Sequence, residues 1–132
     1  MDRQNRLADE TGSCFWSVEH RAAAAFIGWC GIKPGPDATP VAGEVEIGWT
    51  LAPAWWGQGY AREAAAACLD RAWATGPPPP RVFAITTPGN ARSLGLMERL
   101  GMRRVPDGDF DHPALAEGDP LRRHVTYRID RP

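Results

Sequence analysis

EIGWTLAPAWWGQGYAREA, residues 46–64, is the stretch that decides the fold of this chain. Its beginning continues an alternating pattern, in which Val45, Ile47 and Trp49 face one side and the glutamates face the other. A period of two predicts a β-strand over residues 44–51. The alanines that follow recur at helical spacing and predict an amphipathic helix. The stretch is therefore a strand that leads through a glycine-containing turn into a helix.

The turn, WGQGYA at residues 56–61, carries the clearest functional signal. Two glycines let the backbone turn sharply and come close to a ligand. The first N–H groups of the helix lack intrahelical acceptors and lie at the positive end of its dipole. Together they predict an anion site suited to a pyrophosphate, and a tight turn without a ligand is the alternative. A dinucleotide-binding fold needs a third glycine where Arg62 stands, and a Walker loop needs Gly-Lys-Ser/Thr, which does not occur.

Upstream of this stretch, residues 13–20 and 24–33 predict two strands joined by a short turn near Arg21, hence a hairpin. Residues 34–43 are rich in proline and glycine and predict a loop. The inward face of the helix downstream is predicted to contain Ala61, Ala64, Ala65, Cys68, Leu69 and Ala72.

Further downstream, residues 81–87 predict a short apolar strand, and Asn90 is a candidate N-cap for a second helix that ends before Gly101. Leu94, Met97 and Leu100 are predicted to face inward. Two more strands, near 102–105 and 124–130, flank a long loop. The order is β-β-β-α-β-α-β-β. A right-handed crossover makes the third and fourth strands parallel and the remaining pairs antiparallel, which is a mixed α+β sheet.

Composition sets limits on size and partners. A chain of 132 residues with 43% hydrophobic residues predicts one domain, 1–132. The net charge of −1 argues against nucleic acid or an anionic membrane surface as a partner. Cys14, Cys30 and Cys68 form no CxxC pair, so no zinc site or disulfide framework is predicted. They are predicted to be buried thiols in a reducing cytoplasm.

Two segments in the right order resemble one family. EIGWTLAPAWWGQGYAREA and NARSLGLMERLGMRR, which begins at Asn90, resemble motifs of the GNAT N-acetyltransferases, in particular the branch of the ribosomal-protein (RimJ/RimL-type) enzymes. Trp56 replaces the Gln or Arg that usually leads the glycine motif. The resemblance covers about residues 15–131 and implies a GNAT-like acyl-CoA N-acyltransferase fold with acetyl-CoA as co-substrate and no metal.

The resemblance also implies which residues bind acetyl-CoA. The backbone of the glycine loop would hold the pyrophosphate, the N–H groups near the end of the third strand would hold the acetyl carbonyl and pantetheine, and an asparagine would contact the pantetheine arm. In this sequence these residues are Trp49, Leu51, Trp56, Gly57, Gln58, Gly59, Tyr60, Ala61, Arg62 and Asn90. A solvated Arg62, a core Tyr60 and a purely capping Asn90 are the alternatives.

Two catalytic residues are implied in the same way. Glu46 matches a strand glutamate that acts through water as general base, and Ser93 matches the serine proposed to protonate the leaving thiolate. Many other family members use a Tyr four residues later, where this chain has Met97. The alternatives are a glutamate on a wet sheet face and an ordinary helix serine. Asp111 and His112, in the long loop, are candidates for the acceptor site, with a solvated loop as the alternative.

The start of the chain departs from the family pattern. About a dozen residues precede Ser13, too few for the strand and helices with which the family begins. A late start codon, a natural fragment, or a partner chain such as a second copy in a homodimer would each account for this. The leading hypothesis is an acetyltransferase that acts on a protein N-terminus or a small amine. The alternatives are a non-catalytic acyl-CoA-binding module and a fragment that folds only within an oligomer.

Overall fold

The computed structural model of the protein describes residues 15–132. Within them the element order matches the prediction except for one additional short strand and a single 3-10 turn, Pro53–Trp55, between the third strand and the first α-helix. The predicted strand residues Ser13 and Cys14 lie outside this part of the chain. The elements are β1 (Phe15–His20), β2 (Ala25–Pro34), β3 (Val45–Leu51), α1 (Tyr60–Ala74), β4 (Arg81–Thr86), α2 (Ala91–Arg99), β5 (Arg103–Arg104), β6 (Phe110–Asp111) and β7 (Arg123–Asp130).

The strands follow the order β1-β2-β3-β4-β7-β5, and β6 pairs with β7. β3 and β4 are parallel, with Glu46 opposite Phe83, as the crossover rule requires. The pairs β1–β2, β4–β7, β5–β7 and β6–β7 are antiparallel. The predicted mixed, mostly antiparallel α+β sheet is confirmed.

The described chain divides into two compact units. The first comprises Met1–Lys33, described from residue 15, and Ile47–Pro78. Within it α1 buries a face of small side chains, as the spacing predicted, although Ala61 and Ala64 are only half-buried. The fully buried members of this face are Ala65, Cys68, Leu69 and Ala72.

The second unit comprises Pro34–Glu46 and Pro79–Pro132. Its core lies on the two long neighbouring strands β4 and β7, whose central residues are buried. Near the start of β4, Arg81 donates to the Glu44 carboxylate over 2.8 Å. This hydrogen bond and the charge of Glu44 raise the pKa of Arg81. Glu44 is thereby occupied by a structural ion pair at the surface.

The end of α2 confirms the predicted role of Gly101. Its φ of +89° lies in the left-handed region, which favours glycine. Its N–H donates to the Glu98 carbonyl over 3.0 Å, and the Met102 N–H donates to the Met97 carbonyl over 2.9 Å. These two bonds form a Schellman motif, which satisfies carbonyls at the helix end.

The inward face of α2 was predicted only in part. Leu96 and Met97 are buried, whereas Leu94 and Leu100 are only half-buried. A helix of nine residues makes few turns, so a small rotation exchanges neighbouring residues at the core. No helix in residues 15–132 is long and apolar enough to cross a membrane.

The long loop after β5 contains the strand that the sequence did not predict. β6 pairs with the first residues of β7, with Phe110 opposite His124. Thr126 is buried and donates its hydroxyl to the Gly108 carbonyl over 2.6 Å. A side chain at Gly108 would come within 2.9 Å of Thr126 Cβ, so glycine allows this close approach. The loop is therefore held against β7.

Replacement of Gly95 by alanine is expected to stabilise the protein. Gly95 lies inside α2, where glycine costs about 0.5–1 kcal/mol relative to alanine. The new Cβ would meet only the tip of the flexible Arg99 side chain, at 3.1 Å. Urea denaturation should show a free energy of unfolding raised by about 0.5 kcal/mol. A decrease would show that Arg99 is unable to move aside.

Candidate functional site: the glycine loop and two strand ends

The glycine loop leads from β3 into α1 with both glycines in a left-handed conformation. Gly57 has a φ of +75° and Gly59, the N-cap of α1, a φ of +83°. No atom lies within 4 Å of where a Cβ would stand at either position. Such backbone favours glycine, and the open side leaves room for a ligand to approach. This is the geometry that the sequence predicted.

The first turn of α1 presents unpaired backbone N–H groups beside the glycine loop. The first hydrogen bond of the helix runs from the Glu63 N–H to the Gly59 carbonyl over 3.0 Å. The N–H groups of Tyr60, Ala61 and Arg62 precede it and have no intrahelical acceptor. With the positive end of the dipole they can stabilise a bound anion. Arg62 is exposed in this first turn, where its guanidinium is in solvent.

Trp56 anchors the loop to the end of β3. Its indole N–H donates to the Leu51 carbonyl over 2.8 Å, while 42% of the residue stays exposed. The Gln58 side-chain amide donates to the Ala54 carbonyl over 3.3 Å. The tryptophan that replaces the family's leading Gln or Arg thus has a structural contact. Through it the glycine loop and the end of β3 are held together.

A cluster of three rings supports the loop from β1. The His20 ring lies 4.9 Å from Trp55 and 5.1 Å from Tyr60, between ring centroids. The Ala23 N–H donates to His20 Nδ1 over 3.1 Å, so in the neutral ring Nε2 carries the proton and donates to the Tyr60 hydroxyl over 2.9 Å. Tyr60 is half-buried, which agrees with the core alternative. Sequence analysis missed His20, because no local pattern marks it.

Trp49 and Leu51 occupy the end of β3 in the first unit. Leu51 is buried and Trp49 is half-buried. The Ala52 N–H donates to the Ile27 carbonyl over 2.9 Å, which ties the end of β3 to β2. Gly28 makes this approach possible, since a Cβ there would stand 2.0 Å from the Thr50 carbonyl oxygen. The binding of acetyl and pantetheine groups by Trp49 and Leu51 stays a prediction.

In the second unit Asn90 is the N-cap of α2, as predicted. Its side-chain oxygen accepts from the Ser93 N–H over 3.2 Å, and its amide donates to the Thr86 hydroxyl at the end of β4 over 3.2 Å. Ser93 is half-buried in the first turn of α2. The structure therefore brings Asn90 and Ser93 together at one strand end. Met97, where many family members have a Tyr, is buried.

Glu46 lies on β3 opposite Phe83 of β4, and only 7% of it is exposed. The wet-face alternative is wrong for this residue, because its side chain is almost fully buried. A buried carboxylate is costly unless it is paired or hydrogen-bonded, so this placement is unusual for a glutamate. Glu46 therefore stays a candidate catalytic group.

Asp111 and His112 are held by β7 and its loop. The Asp111 carboxylate lies 3.7 Å from Arg122 and 3.5 Å from Arg123. The His112 ring accepts from the Ala114 N–H over 3.1 Å and lies 5.0 Å from the His124 ring. These contacts hold both residues in the loop, and a role for them in the acceptor site stays a prediction. In residues 15–132 no three His, Cys, Asp or Glu side chains are grouped so as to hold a metal ion.

Comparison with known proteins identifies the family of the chain. Residues 1–103 match the family model described as the acetyltransferase (GNAT) domain, so the chain belongs to the GNAT family. It is 37% identical over 95 residues to the uncharacterized protein YkkB of Bacillus subtilis (strain 168), a match that covers 69% of this chain and 51% of that protein. The chain thus spans about half the length of this curated relative.

Solved structures agree with this assignment. The acetyltransferase from Agrobacterium tumefaciens str. C58 is 28% identical with a TM-score of 0.73, over 96% of this chain and 66% of that one. RimJ of Mycobacterium smegmatis, solved in complex with CoA-disulfide, is 21% identical with a TM-score of 0.74, over 98% of this chain and 58% of that one. At that identity the likeness to RimJ shows the fold alone.

Proposed function

We propose that the protein transfers an acetyl group from acetyl-CoA to a primary amine. The observation that carries the proposal is the open, left-handed glycine loop at the start of α1. Backbone N–H groups at a helix N-terminus suit the CoA pyrophosphate. Membership of the GNAT family supports acetyl-CoA as the acyl donor. The proposed partners are acetyl-CoA and an amine, in the cytoplasm.

In the proposed reaction the neutral amine attacks the thioester carbonyl directly. Backbone N–H groups near Trp49 and Leu51 would stabilise the charge that develops on the carbonyl oxygen. Glu46 would take a proton from the amine through water, and Ser93 would protonate the departing thiolate. A thiol pKa of about 8.5 makes thiolate a tolerable leaving group, so the base matters more than the acid.

The class of amine follows from the same reasoning. An α-amino group of pKa about 8 is roughly one-tenth neutral at pH 7, whereas less than about one-thousandth of a lysine amine of pKa about 10.4 is neutral. A carboxylate that acts through water is a weak base and suits the α-amine. A protein N-terminus or a small amine of similar pKa is therefore the proposed acceptor.

The proposal is tested by incubating the purified chain with acetyl-CoA and a panel of amine-terminated peptides and small amines. Release of free CoA with an acetylated product is expected for at least one amine. Glu46→Gln should lower kcat about 100-fold, the low end for a positioned acid–base group, while acetyl-CoA still binds. Ser93→Ala should have a smaller effect on kcat, because a thiolate can leave without being protonated.

Matched controls are available on exposed surfaces. Glu98→Gln lies on the solvent face of α2 and Ser17→Ala on an exposed position of β1, and both should leave kcat unchanged. Binding of acetyl-CoA without turnover of any amine would favour the non-catalytic acyl-CoA-binding module. Met97 stands where many family members have a Tyr, and it is buried, so Ser93 is left as the one matching candidate acid. This missing Tyr is the observation that favours the second candidate.

A further inference from the structure

Two thiols from distant parts of the sequence meet in the first unit. Cys30 on β2 and Cys68 on α1 lie with their Sγ atoms 3.7 Å apart, and both are free thiols. Cys30 is 3% and Cys68 9% exposed. The proposed acetyl transfer does not use either residue. The sulfurs of a disulfide are about 2.05 Å apart, so the two Sγ atoms would have to move closer by less than about 2 Å to form one.

The pairing of β1 with β2 shows which face of the hairpin carries Cys30. Trp16 of β1 is directly opposite Cys30 of β2, so their side chains share a face of the hairpin. Arg71 lies with its guanidinium 5.0 Å from the Trp16 ring centroid. Cys68 and Arg71 are three residues apart, hence neighbours on α1. The face of α1 that contains Cys68 and Arg71 thus packs against both members of the Trp16–Cys30 pair.

The same geometry makes the two thiols chemically unequal. The hydrogen bond with Cys30 lowers the pKa of Cys68 most, burial opposes this, and the charge of Arg71 lowers it further. The hydrogen bond with Cys68 and burial raise the pKa of Cys30. Cys68 is therefore the more acidic thiol of the pair. A thiol of lowered pKa next to a second, resolving thiol is a feature of redox-sensor cysteines. Such cysteines are usually more exposed than this pair, so the oxidant must be as small as hydrogen peroxide.

We infer that Cys30 and Cys68 are a modification site at which hydroperoxides form a reversible disulfide between β2 and α1. The Cys68 thiolate attacks one oxygen of hydrogen peroxide. The O–O bond breaks, the S–O bond of a sulfenic acid forms, and hydroxide leaves. Cys30 then attacks the Cys68 sulfur, the S–S bond forms, and the hydroxyl group departs with the Cys30 proton as water. The hydroxide takes up the proton that Cys68 lost on ionising, so in total two thiols are oxidised to one disulfide and one peroxide is reduced to two waters.

The test is oxidation of the full chain with hydrogen peroxide, followed by thiol counting in denaturant and peptide mapping. Two of the three thiols should be lost, and the tryptic peptide 63–71 should be found linked to the peptide that contains Cys30. Dithiothreitol should restore both thiols. Retention of all three thiols, or a disulfide that includes Cys14, would overturn the inference.

Single substitutions separate the two roles. Cys30→Ser should leave a Cys68 sulfenic acid that dimedone labels, whereas Cys68→Ser should leave Cys30 unlabelled. Cys14→Ser is the matched control and should form the same disulfide as the original chain. Equal dimedone labelling of the Cys30→Ser and Cys68→Ser variants would contradict the assignment of Cys68 as the attacking thiolate. The peptide map of the original chain keeps the inference testable even where a serine variant fails to fold.

Discussion

Gly59→Trp is expected to bind acetyl-CoA at least about 100-fold more weakly than the original chain, a loss of about 2.7 kcal/mol. The indole would fill the open space beside the left-handed glycine, where the proposed pyrophosphate lies against the first N–H groups of α1. Charge-assisted hydrogen bonds are worth about 1.5–3 kcal/mol each, so the loss of one or two gives this effect. Isothermal titration calorimetry with acetyl-CoA measures it directly.

Gly118→Trp is the matched control for this measurement. Gly118 has a φ of +87°, is exposed, and likewise has no atom within 4 Å of a Cβ position. The left-handed conformation costs an L-residue about 1–2 kcal/mol at either site, so both variants should lose similar stability. Acetyl-CoA affinity should fall only for Gly59→Trp. Equal affinity of the two variants would remove the glycine loop from the proposed binding site.

The features that the sequence predicted correctly depend on neighbouring residues. The glycine loop, the Asn90 cap and the Gly101 stop each follow from contacts within five residues along the chain. Such signals are visible because a turn or a helix end needs particular residues wherever it occurs. The parallel pairing of β3 and β4 was predictable for a related reason, since a strand–helix–strand unit has few allowed topologies.

The features that the sequence did not reveal depend on residues far apart in the chain. His20 contacts Tyr60 across 40 positions, and Cys30 contacts Cys68 across 38. The burial of Glu46 was likewise not predicted, and its partner in the sheet, Phe83, lies beyond α1 in the sequence. An alternating pattern shows that two faces differ, but it does not show that both are covered. The candidate site was therefore predicted as a list of residues, without the contacts that support it.

Gly28→Ala is expected to lower the free energy of unfolding by about 3 kcal/mol, the upper end of the usual cost of overpacking. The added Cβ would stand 2.0 Å from the Thr50 carbonyl oxygen and 2.8 Å from the Leu51 Cα. These are backbone atoms, so no side-chain rotation relieves the contact and β2 must move away from the end of β3. A thermal melt should show a midpoint lower by about 10 °C.

Gly95→Ala makes the same chemical change with the opposite expected sign, and so it is the matched control. Its Cβ meets only a flexible arginine tip, whereas that of Gly28→Ala meets a strand. Because the Leu51 carbonyl accepts the Trp56 indole N–H, a displaced β3 end should also loosen the glycine loop. Gly28→Ala should therefore weaken acetyl-CoA binding even at temperatures where the variant is folded. Unchanged stability in Gly28→Ala would mean that β2 and β3 are not as close at this point as the structure places them.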